Sequence, residues 1–536
     1  MSLHYLTIDE SGIQRRFAFA GEQTLIDVLR EHELETGINL PLPCGGKGIC
    51  GGCAVRLTGV LAPPDAEEKA SLARRFGEAG AEGMRLACRA VMCGDCILSL
   101  EGKNSRASYK EENLTSLSEP CCVAFDVGTT TIALRVVDDN GKAVYQKTEH
   151  NAQRTMGADV MTRIACCGSE GGLEKLRSTV CRQLERMMDE AAHILGLTQD
   201  YAACTAAGNT TMLSIIAGID PTPLGVAPYR TTDTLGRQFA LPQREDGSEG
   251  RGIYLLPCAG GFTGGDLVGC LAALEHFHPQ LAATEGLLLC DLGTNGELAL
   301  RCGDRWLVTS AAAGPALEGG SISCGSGAVS HAAAALYDTR IIHEDKSAEG
   351  EDKTAAAPTR RIQLSQDIAA EVIGGGTPRT LTGCAVIDLV AILLGRGIID
   401  SGGCMECDSF ALCEGLSLQR NDVRQLQLAK GAVAAAALCL MHRAYGGSEG
   451  QLSAVVTGGL GYRVNPSSMT AIGLLPCCPT ENIRAIPSLA LEGAVLCLDE
   501  EGRKLAEAVR ARCEVVELGG DALFDELFIE QLQFPE

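Results

Sequence analysis

The sequence predicts a small α+β domain over residues 1–100, a linker over 101–120, and an α/β region of two related lobes over 121–286 and 287–536. Three observations lead there. At 536 residues the chain is longer than one ordinary domain of about 150 residues. Its first hundred residues hold an alternating apolar pattern, an amphipathic stretch and a glycine-rich run of cysteines. Beyond a polar stretch, one strand–Asp–Gly–Thr pattern occurs twice.

Composition narrows the function. Lys plus Arg number 45 against 68 Asp plus Glu, a net charge of −23, which excludes the basic footprint that a nucleic-acid binder needs to displace counterions. The same balance disfavours anionic membrane surfaces. Apolar residues at 46% and charged residues at 21% suit a packed, ordered chain. No run approaches the about 18 apolar residues of a membrane span, and MSLHYLTIDE lacks a basic start followed by an apolar core. The expectation is a soluble, cytoplasmic protein. Its 26 cysteines then read as reduced thiols rather than a disulfide framework. Scattered ones such as Cys181, Cys270, Cys439 and Cys513 sit in apolar surroundings and are expected to be small buried hydrophobes.

The segment HYLTIDESGIQRRFAFAGEQTLIDVLREHEL reads as a strand pair followed by an amphipathic helix. Next, LPCGGKGICGGCAVRL sets Cys44, Cys50 and Cys53 at C-x5-C-x2-C, and Cys88 follows in RLACRA after 34 intervening residues. Three thiolates on one loop plus a distant fourth can hold a 2Fe–2S cluster. Gly45, Gly46, Gly48, Gly51 and Gly52 let the backbone bend sharply and turn N–H groups toward sulfide. Four thiolates also suit tetrahedral zinc, although structural zinc sites usually pair two short knuckles, unlike this three-plus-one spacing. Residues 1–100 resemble a β-grasp 2Fe–2S ferredoxin domain, which implies Cys44, Cys50, Cys53 and Cys88 as the cluster ligands. Cys93 and Cys96, in VMCGDCILSL, read as two strand thiols near the cluster in preference to a redox pair or alternative ligands. The polar, serine-rich EGKNSRASYKEENLTSLSEP that follows reads as a flexible linker.

CVAFDVGTTTIALRVVDDNGKAVY then has the form strand, Asp-x-Gly-Thr-Thr-Thr turn, strand, Asp-Asn-Gly hairpin, strand. Asp126 can hold a metal-bound water, Gly128 lets backbone approach a phosphate, and Thr129, Thr130 and Thr131 can donate to it. A plain hairpin with a threonine-rich turn is the competing reading. LLLCDLGTNGELALRCGDRWLVTS repeats the pattern with Asp291, Gly293, Thr294, Asn295 and Glu297, 165 residues after Asp126. Two such units suggest duplicated lobes closing on one nucleotide. In QLSAVVTGGLG a third strand runs into Gly458 and Gly459, where backbone can lie against an adenosine.

These elements resemble, in order, the phosphate-1, phosphate-2 and adenosine motifs of the acetate kinase/sugar kinase/heat-shock cognate/actin superfamily. The resemblance implies a two-lobed, actin-like ATPase with a duplicated RNase H-like core. It makes Asp126, Asp291 and Glu297 the catalytic carboxylates, and ATP with Mg²⁺ the ligand. Gly128, Thr129, Thr130, Thr131, Asp266, Gly293, Thr294, Asn295, Gly458 and Gly459 become nucleotide contacts. A ferredoxin ahead of such an ATPase resembles the reductive activators of corrinoid-dependent proteins. NAQRTMGADVMTRI, GNTTMLSIIAGIDPTPLGVAPY, PCAGGFTGGDLVGC, AAAGPALEGGSI and QLAKGAVAAA agree with that family. The family implies one-electron reduction of a Co(II) corrinoid protein of a methyltransferase or demethylase system, a low-potential electron donor, and room for a homodimer. Larger members carry an additional middle domain, which the short distance from Cys88 to Asp126 predicts to be absent here. A ferredoxin-fused phosphotransferase, with Glu297 or Asp266 as proton acceptor, and an ATP-independent electron-transfer module are the alternatives.

Lesser features carry less. Cys404, Cys407 and Cys413, in SGGCMECDSFALCEG, lack a clear fourth ligand for a second metal site. Residues 343–361 read as a polar loop, and His276 and His278 as a surface turn.

Overall fold

The computed structural model describes residues 3–10, 13–31, 53–80, 83–99, 120–227, 229–231, 233–243, 247–329, 331–340, 361–364, 367–446, 451–461 and 464–535. Cys44, Cys50, residues 101–119 of the linker and residues 343–360 of the polar loop lie outside them. The chain forms two compact units: Met1–Ser105 with His150–Gln183, and Arg106–Glu149 with Leu184–Glu536.

In the first unit the alternation of HYLTI places Leu6 and Ile8 on one covered face of the strand Leu3–Glu10. That strand runs antiparallel to Ile13–Ala20 and parallel to Val91–Ser99, and the sheet continues through Ala54–Leu61 to Met84–Leu86. Phe17, Phe19, Leu25, Leu29, Leu57 and Leu98 fill the core beneath it. The mixed sheet carrying the helices Leu25–Glu31 and Ala66–Gly80 is the expected α+β arrangement. Arg85 makes a bidentate ion pair with the buried Glu68, at 2.8 and 3.1 Å, and the Leu86 N–H also donates to Glu68. This anchors the helix Ala66–Gly80 to the short strand leading to Cys88. The segment His150–Gln183 contributes the helix Val160–Cys167, whose Asp159 and Thr162 form a capping box.

The second unit is built on two six-stranded sheets. The first has the order Arg237–Ala240, Gly252–Leu255, Ala203–Gly208, Cys122–Val127, Thr131–Val137, Ala143–His150. The second has the order Ile483–Ala485, Ser453–Thr457, Leu287–Leu292, Gly296–Cys302, Arg305–Ala311, Cys513–Val515. In each, a buried strand ending in Asp-x-Gly-Thr pairs antiparallel with the next strand and parallel with a distant one. The duplication read from the two motifs is therefore present in the strand pairing. The helices Gly265–Phe277 and Leu489–Leu496 share one core with both sheets, through Ala124, Ala207 and Tyr254 of the first and Leu289, Trp306 and Val455 of the second. A further core packs the helices Gly383–Gly395 and Arg420–Tyr445 against the second sheet.

Most scattered cysteines behave as expected: Cys181, Cys270 and Cys439 are buried, whereas Cys513 is only half-buried. Cys93 and Cys96 stand three residues apart on one strand, so they face opposite ways. Cys96 is buried, with its thiol 3.3 Å from the Gly94 carbonyl, and burial pushes it up to about 11. Cys404 and Cys407 are exposed, the Cys413 thiol donates to the Pro378 carbonyl, and no cluster of metal ligands forms among the described residues. His276 and His278 are exposed at the end of the helix Gly265–Phe277.

Candidate functional site

The two aspartates occupy the same place in the two sheets. In CVAFDV and LLLCDL the apolar residues are covered, and Asp126 and Asp291 stand at the fifth position, half-buried, just before the turn. Asp291 lies opposite Glu297 across the hairpin. Gly128 is required at the first turn, since a Cβ there would stand 2.9 Å from the Thr131 carbonyl. Gly458 is held at φ +85°, and a Cβ on it would overlap Asp291 Oδ1. The third strand's glycine thus packs on the second motif's carboxylate. Asp266 opens the helix Gly265–Phe277 and accepts from the Leu267 N–H at 2.8 Å.

These four carboxylates form one electrostatic group. Burial, then Asp291 and Asp266, push Asp126 up to about 8. Burial and Asp266 push Asp291 up to about 7, and burial pushes Asp266 up to about 6. Glu297 is raised as well, by burial and then by Asp266 and Asp291. No ion pair to any of them occurs among the described residues. Such a group favours protons or a cation. The described side chains do not by themselves gather three metal ligands.

The hydroxyls divide. Thr129 is buried and accepts from Asn209 Nδ2 at 3.1 Å. Thr130 Oγ1 lies 3.0 Å from Thr294 Oγ1, so the two turns touch directly. Thr131 is exposed at the start of its strand. The Asn295 side chain hydrogen-bonds Glu297, which also accepts from Ser310 Oγ at 3.3 Å. Gly293 is half-buried and Gly459 exposed, both beside Glu318. Sequence reasoning missed two contributors. Glu318 accepts from Thr294 Oγ1 at 2.6 Å, and the Cys270 thiol donates to Asp291 Oδ2 at 3.6 Å. An acid followed by two glycines in GPALEGG, and a cysteine one helical turn after Asp266, were the available signals.

In the first unit the Cys53 and Cys88 thiols lie 3.3 Å apart, and the hydrogen bond between them is the main reason that Cys53 is lowered to about 7. That separation is close to the about 3.8 Å between two thiolates on one tetrahedral ion at about 2.3 Å. Cys53 and Cys88, the two described members of the expected ligand set, are therefore spaced to fit a metal–sulfur centre. A half-exposed Cys88 and a buried Cys53 give it one open side.

Fold and site define a class: a ferredoxin-type electron-carrier domain joined to a two-lobed nucleotide-binding domain. Residues 8–93 match the 2Fe-2S iron-sulfur cluster binding domain, 121–278 the RACo middle region, and 285–536 the C-terminal domain of RACo, the ASKHA domain. The two RACo models together match most of the chain, behind a ferredoxin domain, so the chain belongs to the RACo family. It is 26% identical over 451 residues to the corrinoid activation enzyme RamQ of Eubacterium limosum, covering 77% of this chain and 70% of that protein. It is 25% identical over 368 residues to the [Co(II) methylated amine-specific corrinoid protein] reductase of Methanosarcina barkeri, covering 66% of this chain and 65% of that protein. A solved reductive activator for corrinoid, iron-sulfur protein shares its fold, with a TM-score of 0.64 at 21% identity over 99% of this chain and 98% of that one. Residues 121–278, read from the sequence as the first lobe and carrying Asp126, are the ones that match the RACo middle region. No helix among the described residues is long and apolar enough to cross a membrane.

Proposed function

We propose that this chain is an ATP-dependent reductive activator that returns an oxidised Co(II) corrinoid protein to Co(I). The observation that carries the reading is the joining, in one chain, of a domain whose thiols fit an iron–sulfur centre to a pair of aspartate–threonine turns that meet. Simple phosphoryl transfer has no use for the first, and simple electron transfer has none for the second. Cys44, Cys50, Cys53 and Cys88 are the ligands of the 2Fe–2S cluster, which when bound supplies one electron near about −400 mV.

The remaining steps belong to the chain's own residues. Asp126 and Asp291 would hold the waters of a Mg²⁺ bound with ATP, which would supply charge stabilisation at the phosphates, and their raised proton affinity would fall beside such a cation. Glu297, buried against Ser310 and Asn295, orients the attacking water. Asp266 keeps the cleft negative enough to demand the metal. Thr129, Gly128 and Gly293 face the phosphates, and Gly458 and Gly459 the adenosine. Hydrolysis is then mainly positioning and charge stabilisation.

The Co(II)/Co(I) couple of a corrinoid lies below the potential of such a carrier, and each ~59 mV of an uphill one-electron step costs a factor of ten in equilibrium constant. ATP can offset that only if the ATP-bound and hydrolysed forms bind the corrinoid protein differently. The partner is accordingly a corrinoid protein of a methyltransferase or demethylase system, with a low-potential donor recharging the ferredoxin domain. The direct test is the ATPase rate with and without candidate corrinoid proteins. A cognate Co(II) form should raise it, and a rate indifferent to every Co(II) corrinoid protein of the source cell would refute the coupling.

A further inference from the structure

Glu318 lies where three nucleotide-facing segments meet, and the roles assigned above do not use it. It ends the short turn of helix Pro315–Glu318. Its Oε2 accepts from Thr294 Oγ1 at 2.6 Å, and Thr294 Oγ1 lies 3.0 Å from Thr130 Oγ1. Its Oε1 stands 3.9 Å from where a Cβ on Gly293 would be, and 3.7 Å from the same point on Gly459. Its charge also helps to raise Asp291. One carboxylate therefore bonds the second turn, reaches the first through Thr294, and lies beside Gly459 of the third.

Counting protons gives the arrangement a direction. A threonine hydroxyl has one proton and two lone pairs, and an ionised carboxylate only accepts. Thr294 must give its proton to Glu318, in a charge-assisted bond stronger than one between neutral groups. Only lone pairs remain on Thr294 for Thr130, so Thr130 is the donor of the pair. Neither hydroxyl then has a proton left for a phosphate oxygen, which is itself an acceptor. What both can offer is lone pairs, which receive hydrogen bonds from metal-bound or attacking water. The expectation that Thr130 donates to phosphate would hold only without this chain of bonds.

We propose that Glu318 is a positioning residue of the nucleotide site. By taking the Thr294 proton it joins the two aspartate–threonine turns into one ordered chain, Thr130 to Thr294 to Glu318, and makes both hydroxyl oxygens acceptors for water. The inference rests on the nucleotide reading of the cleft. It assigns these two threonines to the metal-and-water side of the reaction and leaves the phosphates to Thr129 and the backbone.

The test uses the full chain with its cluster loaded, in four variants: Glu318→Gln, Thr294→Val, the double variant and Thr294→Ser. Hydrolysis of MgATP gives kcat and KM, melting without nucleotide gives stability, and the visible cluster spectrum checks folding. Glu318→Gln and Thr294→Val should each lower kcat by about tenfold or more, the scale of a hydrogen bond to a charged group, while KM for MgATP moves by less than about threefold. The double variant should be no slower than the worse single one, because both break the same chain. Thr294→Ser, which keeps the hydroxyl, should recover most of the rate. Losses that multiply would overturn the proposal, as would Thr294→Ser as slow as Thr294→Val. Lowered melting with unchanged kcat would reduce Glu318 to a structural tie and overturn its positioning role. Failure of the parent protein to bind or hydrolyse MgATP would instead refute the nucleotide reading, a result distinct from any pattern among the variants.

Discussion

Four carboxylates crowded with no ion pair among the described residues are a stability cost that a nucleotide site accepts for its ligand. Asp126 has its midpoint raised from the usual carboxylate range near about 4 to about 8. Between those values the folded chain holds a proton that the unfolded chain has lost. Stability contributed by this group must therefore fall as pH rises through the window, opposite to the behaviour of a salt-bridged aspartate. Asp291, at about 7, and Asp266, at about 6, act in the same direction over narrower windows. The nucleotide-free protein should accordingly melt at a higher temperature at pH 6 than at pH 8. MgATP should stabilise it more at pH 8, because a cation favours the deprotonated carboxylates and releases their protons. Asp126→Asn should flatten this pH dependence and raise the melting temperature at pH 8, while slowing hydrolysis by about a hundredfold or more. Melting curves at the two pH values, with and without MgATP, check the first part. Undiminished hydrolysis in both Asp126→Asn and Asp291→Asn would remove these residues from the site.

At the scale of elements, the helices Gly265–Phe277 and Leu489–Leu496 decide how the two sheets of the second unit present their aspartates. Thr205 of the first sheet donates to the Ala494 carbonyl at 2.7 Å, and Thr457 of the second accepts from the Leu489 N–H at 3.2 Å. The helices cross where Gly269 meets Gly493, and a Cβ on Gly493 would overlap the Gly269 carbonyl oxygen. Gly493→Ala must push the helix Gly265–Phe277 away, at the cost of about 1–3 kcal/mol typical of overpacking. Asp266 and Cys270 ride on that helix, so hydrolysis should fall together with the melting temperature while the cluster spectrum stays unchanged. A Gly493→Ala protein with the parent's melting temperature would show that the helices do not cross this closely. The same contacts mark what the sequence could and could not show. Each strand–Asp–Gly–Thr unit is local, so alternation and turn residues reveal it, and the lobes follow from its recurrence. Glu318, Cys270 and the Gly269–Gly493 crossing join segments more than 20 residues apart in sequence. No periodicity records such meetings: Cys270 read as one more buried hydrophobe until its thiol was seen to face Asp291.

For the molecule as a whole, the cysteine spacing and the duplicated motifs were enough to read the order of the machinery, ferredoxin first and nucleotide cleft second. That the first lobe would match a middle region of its own was not legible, because its first strands are the same strands that carry the first aspartate motif. The order sets the decisive experiment. Co(II)-corrinoid protein, a low-potential reductant and this chain are mixed anaerobically, ATP and Mg²⁺ are added or withheld, and Co(I) is followed by absorption and trapped by methylation. Co(I) should accumulate only with cluster, ATP and Mg²⁺ all present. Cys53→Ala should abolish it while leaving MgATP binding intact, since Cys53 and the carboxylate cleft stand in different units. Asp126→Asn should abolish it while leaving the cluster's spectrum and its reduction by the donor intact. The two variants thus fail for different reasons, and mixing them asks whether both machines must share a chain. If one chain must supply both, the mixture stays inactive; a mixture that regains activity would mean that electron and nucleotide can be supplied by separate copies. Equal reduction of a verified cognate partner with and without ATP would leave the nucleotide cleft no part in the electron transfer, and the chain would then be an electron-transfer module alone.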